Sequence, residues 1–157
     1  MQKPRTQLAD AETSGTALWL VLIKAYHSLL AYTAETLRGS GLGDSDFRVL
    51  EALLHKGPMP VNTIGGKVYL SPGSISVAVD RLLEKGLVSR TESASDRRVK
   101  LVELTAVGRK LIERVFHEHE AKMNALLEEL PAKERRRLAD GLKTLGKRAA
   151  RTLDEQK

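Results

Sequence analysis

Apolar residues recur at every third or fourth position in the segment that follows the polar N-terminus. Residues 1–12 contain Pro4 and show no such period, so we expect a disordered or frayed tail there. The segment 13–39 carries one predicted helical stripe, whose members are Trp19, Ile23, Tyr26, Leu30, Thr33 and Leu37. Thr13 or Ser14 is the predicted N-cap. Further leucines widen the stripe, so this helix is expected to pack against two neighbours.

Three shorter helices are predicted next, each bounded by glycine, proline or a capping residue. Asp44 or Ser45 is the predicted cap of the first, which ends where Pro58 and Pro60 forbid helix continuation. Asn62 is the predicted cap of the second, a short helix that begins directly after the prolines. The three helices are therefore expected to be joined by short turns.

The third short helix and the hairpin after it carry the clearest signals in the chain. Ser71 and Pro72 begin the helix, because a serine hydroxyl accepts a free backbone N–H and proline suits the first turn. Gly86 ends it. Beyond this glycine the apolar period changes from 3.6 residues to 2, with Val99 and Leu101 on either side of a charged residue. The change predicts a short antiparallel hairpin with a polar, charged tip.

Two long helices complete the predicted fold. Thr105 is the predicted cap of the first, and Pro131 ends it and becomes the first residue of the last helix. The fold class is therefore mainly α with a small β-hairpin wing (α+β). A winged helix-turn-helix over residues 43–104 is flanked by long helices over residues 13–39 and 105–157. These outer helices are too apolar for a monomer surface, which predicts the interface of a homodimer.

Composition narrows the classes of function. The 157-residue chain has 26 Lys and Arg against 20 Asp and Glu, and the formal charge of +6 favours nucleic acid as the partner. It has no cysteine, which excludes disulfides, thiolate zinc sites, cysteine nucleophiles and thiol redox sensing. The longest apolar run, residues 17–23, is too short for a membrane span, so we expect no membrane partner and a cytoplasmic location. No catalytic motif appears, and neither enzymatic activity nor a cofactor is expected.

Two adjacent motifs carry a resemblance to a known family. Residues 70–88 read LSPGSISVAVDRLLEKGLV and resemble the recognition helix of MarR-type (multiple antibiotic resistance regulator) transcription factors. Residues 95–108 read SDRRVKLVELTAVG and resemble the wing of that family and the start of its next helix. The motifs follow each other in the order and spacing that the family shows. The resemblance implies a homodimer that binds double-stranded DNA at a pseudo-palindromic operator, acts as a repressor and is released by a small, often phenolic, ligand.

The resemblance also implies which residues read the DNA. The major groove would be read from the N-terminal half of the recognition helix, with candidate contacts at Ser71, Gly73, Ser74, Ser76, Val77 and Arg81. Val77 could pack on a thymine methyl group, although family members commonly carry an arginine there. Arg81, one turn further on, is a candidate for a phosphate or base contact.

The hairpin tip is the predicted minor-groove probe. Arg98 would enter the groove and Asp96 would hold it, because a narrow minor groove has a strong negative potential that suits a guanidinium group. Arg97 and Lys100 are expected to face phosphates. The predicted backbone contacts of the preceding helix are Asn62, Thr63 and Lys67.

An effector pocket in this family lies between the first, second and fifth helices. Its candidate lining here is Trp19, Tyr26, His27 and His55, whereas Phe47 is expected to belong to the ordinary core. A metal-responsive regulator of the same fold is one alternative. His117 and His119 cannot chelate one ion, because residues two apart point to opposite sides of a helix, and no metal site is predicted. The other alternative is a helical interaction protein whose basic faces bind an acidic protein.

Overall fold

The computed structural model describes residues 13–93, 96 and 98–156, and within them the chain forms six helices and three short strands. In chain order the elements are α1 (Gly15–Arg38), α2 (Asp44–Lys56), β1 (Met59–Pro60), α3 (Val61–Val68), α4 (Pro72–Glu84), β2 (Val88–Glu92), β3 (Lys100–Leu104), α5 (Ala106–Leu127) and α6 (Ala132–Asp154). This confirms the predicted fold class. The expected tail, residues 1–12, lies outside the described residues.

Two predicted helix starts are confirmed by side-chain caps. The Ser14 hydroxyl accepts a hydrogen bond from the backbone N–H of Ala17, and the Ser71 hydroxyl accepts one from Ser74, with Pro72 in the first turn of α4. A polar residue placed just before an apolar stripe therefore located these helix starts correctly.

Three other capping predictions are wrong by one or two residues. The N-cap of α2 is Gly43, so Asp44 and Ser45 lie inside the helix. The N-cap of α3 is Pro60 rather than Asn62, because the extended backbone of the proline already precedes the first helical turn. Pro131 is the N-cap of α6 rather than its first residue.

The sheet contains one strand more than the predicted hairpin. β2 pairs with β3 in antiparallel register from Val88 opposite Leu104 to Glu92 opposite Lys100. β1 adds to the other edge of β3, where Met59 lies opposite Val102. A strand of two residues has no detectable period, and its proline suits an edge position where one N–H is not needed. The segment between α2 and α3 therefore ends α2 and also contributes a strand to the sheet.

The core lies within the winged helix-turn-helix. Apolar side chains of α2, α3, α4, β3 and α5 are buried there, and those with no exposed area are Val49, Leu50, Ile64, Ala78, Val79, Leu82, Val102, Ile112 and Val115. α3 and α4 approach closely: a Cβ on Gly65 would lie 3.2 Å from Cγ2 of Ile75. This packing holds the recognition helix on a rigid base.

A set of short hydrogen bonds joins the wing to α5. The backbone N–H of Thr105 donates to the carbonyl of Leu87 over 3.1 Å, and the Thr105 hydroxyl donates to the carbonyl of Gly86 over 2.8 Å. The same hydroxyl accepts the backbone N–H of Gly108 at 3.0 Å, which confirms Thr105 as the cap of α5. Gly86 itself has φ +65°, the left-handed conformation that ends α4.

The chain divides into two compact units at the middle of α5. The first ends at His119, and the second runs from Glu120 to Lys157 and contains α6, which buries none of its described residues. α1 also leaves large apolar side chains exposed, among them Leu18, Trp19, Leu20, Val21, Tyr26 and Leu29. By length and composition α1 could cross a membrane, a test that core helices of soluble proteins also pass, so the short-run criterion applied to the sequence was too strict.

Candidate nucleic-acid interface

The exposed side of α4 consists of small residues at its N-terminal end. Ser71, Gly73, Ser74 and Ser76 are all exposed, and Val77 is 60% exposed. The hydroxyls of Ser71 and Ser74 lie 2.8 Å apart, and the Ser76 hydroxyl donates to the carbonyl of Pro72 over 3.0 Å. The Ser76 oxygen, which donates in this bond, keeps its lone pairs for another donor. The structure thus brings five of the six predicted recognition-helix residues to one exposed surface.

Arg81, the sixth residue, is paired within the protein, so its predicted DNA contact stays a prediction. Its Nε donates to both carboxylate oxygens of Asp46, over 2.9 and 3.1 Å, and its Nη2 donates to Asp46 and to the Ser45 hydroxyl. Arg81 lies at the border between the exposed and buried sides of α4, and its guanidinium group is directed to α2. The sequence motif placed Arg81 correctly on the helix but could not show where its side chain points.

The wing holds Arg98 in a fixed orientation at its tip. Nε and Nη2 of Arg98 each donate to one oxygen of Asp96 over 3.1 Å, and the backbone N–H of Arg98 donates to Asp96 over 3.0 Å. The Arg98 side chain is nevertheless 91% exposed. These hydrogen bonds, first from the Arg98 side chain and then from its backbone, hold the pKa of Asp96 below its usual range. The carboxylate stays ionised near neutral pH, so the brace persists there.

Two ion pairs stiffen the strands of the wing. Lys100 Nζ lies 2.8 Å from a carboxylate oxygen of Glu92 on the facing strand, so the predicted phosphate-facing lysine has an internal partner. Arg90 Nη2 donates to Asp80 over 2.8 Å and ties β2 to the recognition helix. The third predicted wing cation, Arg97, lies outside the described residues. The wing and α4 are therefore connected by charge as well as by the chain.

The predicted backbone contacts on α3 are all at the surface. Asn62, Thr63 and Lys67 are exposed. Lys67 also borders a groove of about 320 Å³ between α2 and α3, whose other lining residues are Arg48, Glu51, Ala52, His55, Lys56 and Val68. Exposure makes a phosphate contact sterically open to these side chains.

The predicted pocket residues are not brought together in one chain. Trp19 is 60% exposed, and Tyr26 and His27, whose rings lie 5.8 Å apart, are exposed as well. His55 packs edge-on against Phe116 at 4.7 Å, on the side of α2 that meets α5. His55, itself exposed, therefore contacts a second helix of the same chain.

Two buried polar atoms were not singled out from the sequence. Phe47 is buried in the core, as expected, and its ring lies 4.9 Å from that of His119. In the described part of the chain, Nδ1 of His119 and the hydroxyl of Thr36 are buried with no hydrogen-bond partner. Unpaired buried polar groups are rare in folded proteins, so each of the two needs an explanation. The sequence signal that could have found Thr36 and His119 is that both are polar residues among apolar neighbours on predicted helices.

The histidine pair on α5 behaves as helical geometry predicts. His117 is exposed whereas His119 is half-buried, so the two rings lie on different sides of the helix. Over residues 13–93, 96 and 98–156 there is no group of three His, Asp or Glu side chains that could hold a metal ion.

Comparisons with known proteins agree with this geometry. The MarR family pattern matches residues 42–100. The HTH-type transcriptional regulator MhqR of Bacillus subtilis (strain 168) is 36% identical over 129 residues, which cover 82% of this chain and 89% of MhqR. CouR from Rhodococcus jostii RHA1, solved with p-coumaroyl-CoA, has a TM-score of 0.74 and 26% identity, over 82% of this chain and 90% of CouR. NadR in complex with 4-hydroxyphenylacetate has a TM-score of 0.70 and 26% identity, over 80% of this chain and 89% of NadR.

The fold and its exposed elements define a class of protein. A small-residue recognition helix beside a wing with a braced arginine is the architecture of a winged helix-turn-helix DNA-binding protein. The similarity to MhqR over most of both chains then makes the assignment specific. The chain belongs to the MarR family, and it is a DNA-binding transcriptional regulator.

Proposed function

We propose that this regulator is a homodimeric, sequence-specific repressor in the cytoplasm, without enzymatic activity, that binds a pseudo-palindromic operator. The observation that carries the proposal is Arg98, held by Asp96 at the exposed tip of the wing. An arginine that is already oriented loses less side-chain entropy when it enters a groove. Small residues at the N-terminal end of α4 let the helix approach base edges closely.

The operator is identified by incubating the protein with sheared genomic DNA, recovering the bound fragments and sequencing them. A sequence-specific regulator should enrich a few fragments and bind them far more tightly than random duplex of the same length. The alternative function, a helical interaction protein that binds an acidic protein, predicts equally weak binding to all DNA duplexes. Transcription from the enriched promoter, measured with and without the protein, separates a repressor from an activator.

Removing the wing arginine tests the site itself. Arg98→Ala should weaken operator binding by about 1–3 kcal/mol, the range for a specific contact, measured by fluorescence anisotropy at fixed salt. Arg114→Ala is the matched control, because Arg114 also forms an exposed pair with a carboxylate, at 3.3 Å from Glu118, but lies on α5. Equal affinity for wild type and Arg98→Ala would exclude the assigned role of the wing.

We further propose that a small aromatic ligand binds in a pocket formed by α1, α2 and α5. Its binding makes the protein release the operator. Thr36 on α1 and His119 on α5 present buried polar atoms without partners, and the ring of His119 lies beside the apolar ring of Phe47. An apolar site with a few unpaired polar groups suits an aromatic ring that carries a hydroxyl or carboxylate. The ligands of NadR and CouR, 4-hydroxyphenylacetate and p-coumaroyl-CoA, have this chemistry in part and guide the choice of probe.

Hydroxyaromatic acids, 4-hydroxyphenylacetate first, should raise the Tm of the protein and lower its affinity for the operator. Thr36→Val removes the unpaired hydroxyl at constant volume, so it should abolish the response without lowering the Tm of the ligand-free protein. Thr33→Val is the control, because the Thr33 hydroxyl is already bonded to the carbonyl of Leu29 at 2.9 Å. A response lost in Thr33→Val but kept in Thr36→Val would place the ligand elsewhere.

A further inference from the structure

Asp46 is a charged side chain on the buried, apolar face of α2. It lies in the first turn of α2, one and two helical turns before Leu50 and Leu53, and only 1% of it is exposed. Among the described residues it is the one buried side chain that carries a charge. Taking a carboxylate out of water is costly unless it is paired and hydrogen-bonded, so the contacts that Asp46 makes must be strong ones.

Those contacts all come from the second half of the recognition helix or from beside it. Arg81 donates to Asp46 through Nε and Nη2, with the shortest contact at 2.5 Å. Lys85, one turn further along α4, lies 3.3 Å from the other carboxylate oxygen. Lys85 Nζ also donates to the carbonyl of Gly41 over 2.8 Å, in the segment that joins α1 to α2. The two cations thus fasten α4 to α2 and to the residues just before it.

The charge state of Asp46 supports the same picture. Burial alone raises the pKa of its carboxyl group, but hydrogen bonds from Arg81 and Lys85 outweigh burial and hold the pKa below its ordinary value. The hydrogen bond to Asp46 correspondingly raises the pKa of Arg81. Asp46 is therefore ionised at neutral pH and depends on both cations.

This arrangement leaves the exposed base-reading surface of α4 without a free positive charge. Its members are serines, Gly73 and Val77, and the acidic Asp80 beside them is paired with Arg90. Arg81, a predicted DNA contact, and its neighbour Lys85 are both bonded to Asp46, while their side chains stay 39% and 38% exposed.

We propose that Arg81 and Lys85 are positioning residues, which set the orientation of the recognition helix through buried Asp46 and do not contact DNA. The inference rests on the proposed function, because it concerns how the same helix is presented to the operator. Two consequences follow. Arg81 adds nothing to the number of phosphates neutralised, and loss of Asp46, which cannot reach DNA, has the same effect as loss of Arg81.

The salt dependence of operator binding separates positioning from contact. Each phosphate neutralised contributes about 0.9 to the slope of log K against log salt, so a lost phosphate contact lowers the slope by about one. Arg81→Ala should weaken operator binding about tenfold, as losing one base contact does, and leave the slope at the wild-type value. Arg81→Lys keeps the charge but cannot form the two-pronged bond, and it should behave like Arg81→Ala.

A double-mutant cycle tests the connection to Asp46. Asp46→Asn should weaken operator binding to a similar extent, and the double variant Asp46→Asn with Arg81→Ala should be little weaker than either single variant. Binding to random duplex should change less than binding to the operator in all three. Lys85→Ala, which removes the contact to Gly41 as well, should show a smaller loss in the same direction.

The controls keep the outcome decisive. The folded fraction of each variant is measured by circular dichroism and its active fraction by stoichiometric titration; if Asp46→Asn does not fold, the comparison of Arg81→Lys with Arg81→Ala decides. A slope lowered by about one in Arg81→Ala, wild-type binding by Arg81→Lys, or wild-type binding by Asp46→Asn would each overturn the inference while leaving the proposed function intact. A wild-type protein that selects no fragment would overturn both.

Discussion

Gly108→Ala should destabilise the fold by at least about 3 kcal/mol, because there is no room for a methyl group where α5 begins. A Cβ at position 108 would lie 1.8 Å from the carbonyl oxygen of Leu87 and 2.7 Å from its carbonyl carbon. Both are backbone atoms and cannot rotate away. The same carbonyl accepts the backbone N–H of Thr105, so moving it would also break the link between the wing and α5.

Chemical unfolding at one fixed protein concentration measures this effect, since oligomerisation makes apparent stability depend on concentration. Two helical glycines provide matched controls. Gly66 has nothing within 4 Å of an added Cβ, so Gly66→Ala should stabilise the protein by about 0.5–1 kcal/mol. A Cβ on Gly65 would lie 3.2 Å from the side-chain Cγ2 of Ile75, so the stability of Gly65→Ala should lie between the stabilities of the other two variants. Equal stability of Gly108→Ala and Gly66→Ala would show that α5 can shift freely against the wing.

Leu142→Asp with Leu145→Asp should convert a dimer into monomers. The leucines of α6, residues 138, 142, 145 and 153, recur at helical spacing and are about half exposed in the single chain. Burying a leucine side chain contributes about 1.5–3 kcal/mol, so four of them per chain provide much of the free energy of a subunit interface. An aspartate in place of a leucine would bring an unpaired charge into that interface.

Sedimentation velocity measures the outcome at micromolar concentration. The wild type should have twice the 17.3 kDa mass of the chain, and the variant the mass of one chain. Thr144→Asp with Lys147→Asp is the control, because these two residues share the polar groove of α6 with Arg148 and Arg151. Wild-type protein that sediments as a monomer would exclude the proposed dimer, and a control variant that also dissociates would show that added charge, not the leucine face, is responsible.

Much of the fold could be predicted because its signals are local. The helices α1, α4 and α5 each have an apolar stripe preceded by a capping Ser or Thr, and these three starts are correct. The predicted caps of α2 and α3 were wrong because the observed caps, Gly43 and Pro60, have extended backbone and form no side-chain capping bond that residue type could indicate. β1 escaped prediction because two residues form a strand only when β3 lies beside them.

The candidate interface was predicted in part. The motif order placed Asp96 and Arg98 on a hairpin tip, and the structure shows the bonds between them. The pocket residues stay a prediction: Trp19, Tyr26 and His27 are exposed in one chain, and the buried polar atoms without partners belong to Thr36 and His119. Whether an apolar helix face is core, pocket or subunit interface depends on what packs against it. The spacing of apolar residues along the sequence does not contain that information.

The sequence by itself determined the order of the helices, the place of the wing and the class of DNA-binding fold, because caps, prolines and apolar periods act between residues a few positions apart. Only the tertiary structure decided what the charges do. Arg81 and Asp46 are 35 positions apart, and nothing in the recognition motif indicates that they meet. A guanidinium group on α4 can point to solvent or to a neighbouring helix, and the buried carboxylate on α2 selects between the two, since it cannot remain ionised there without a partner.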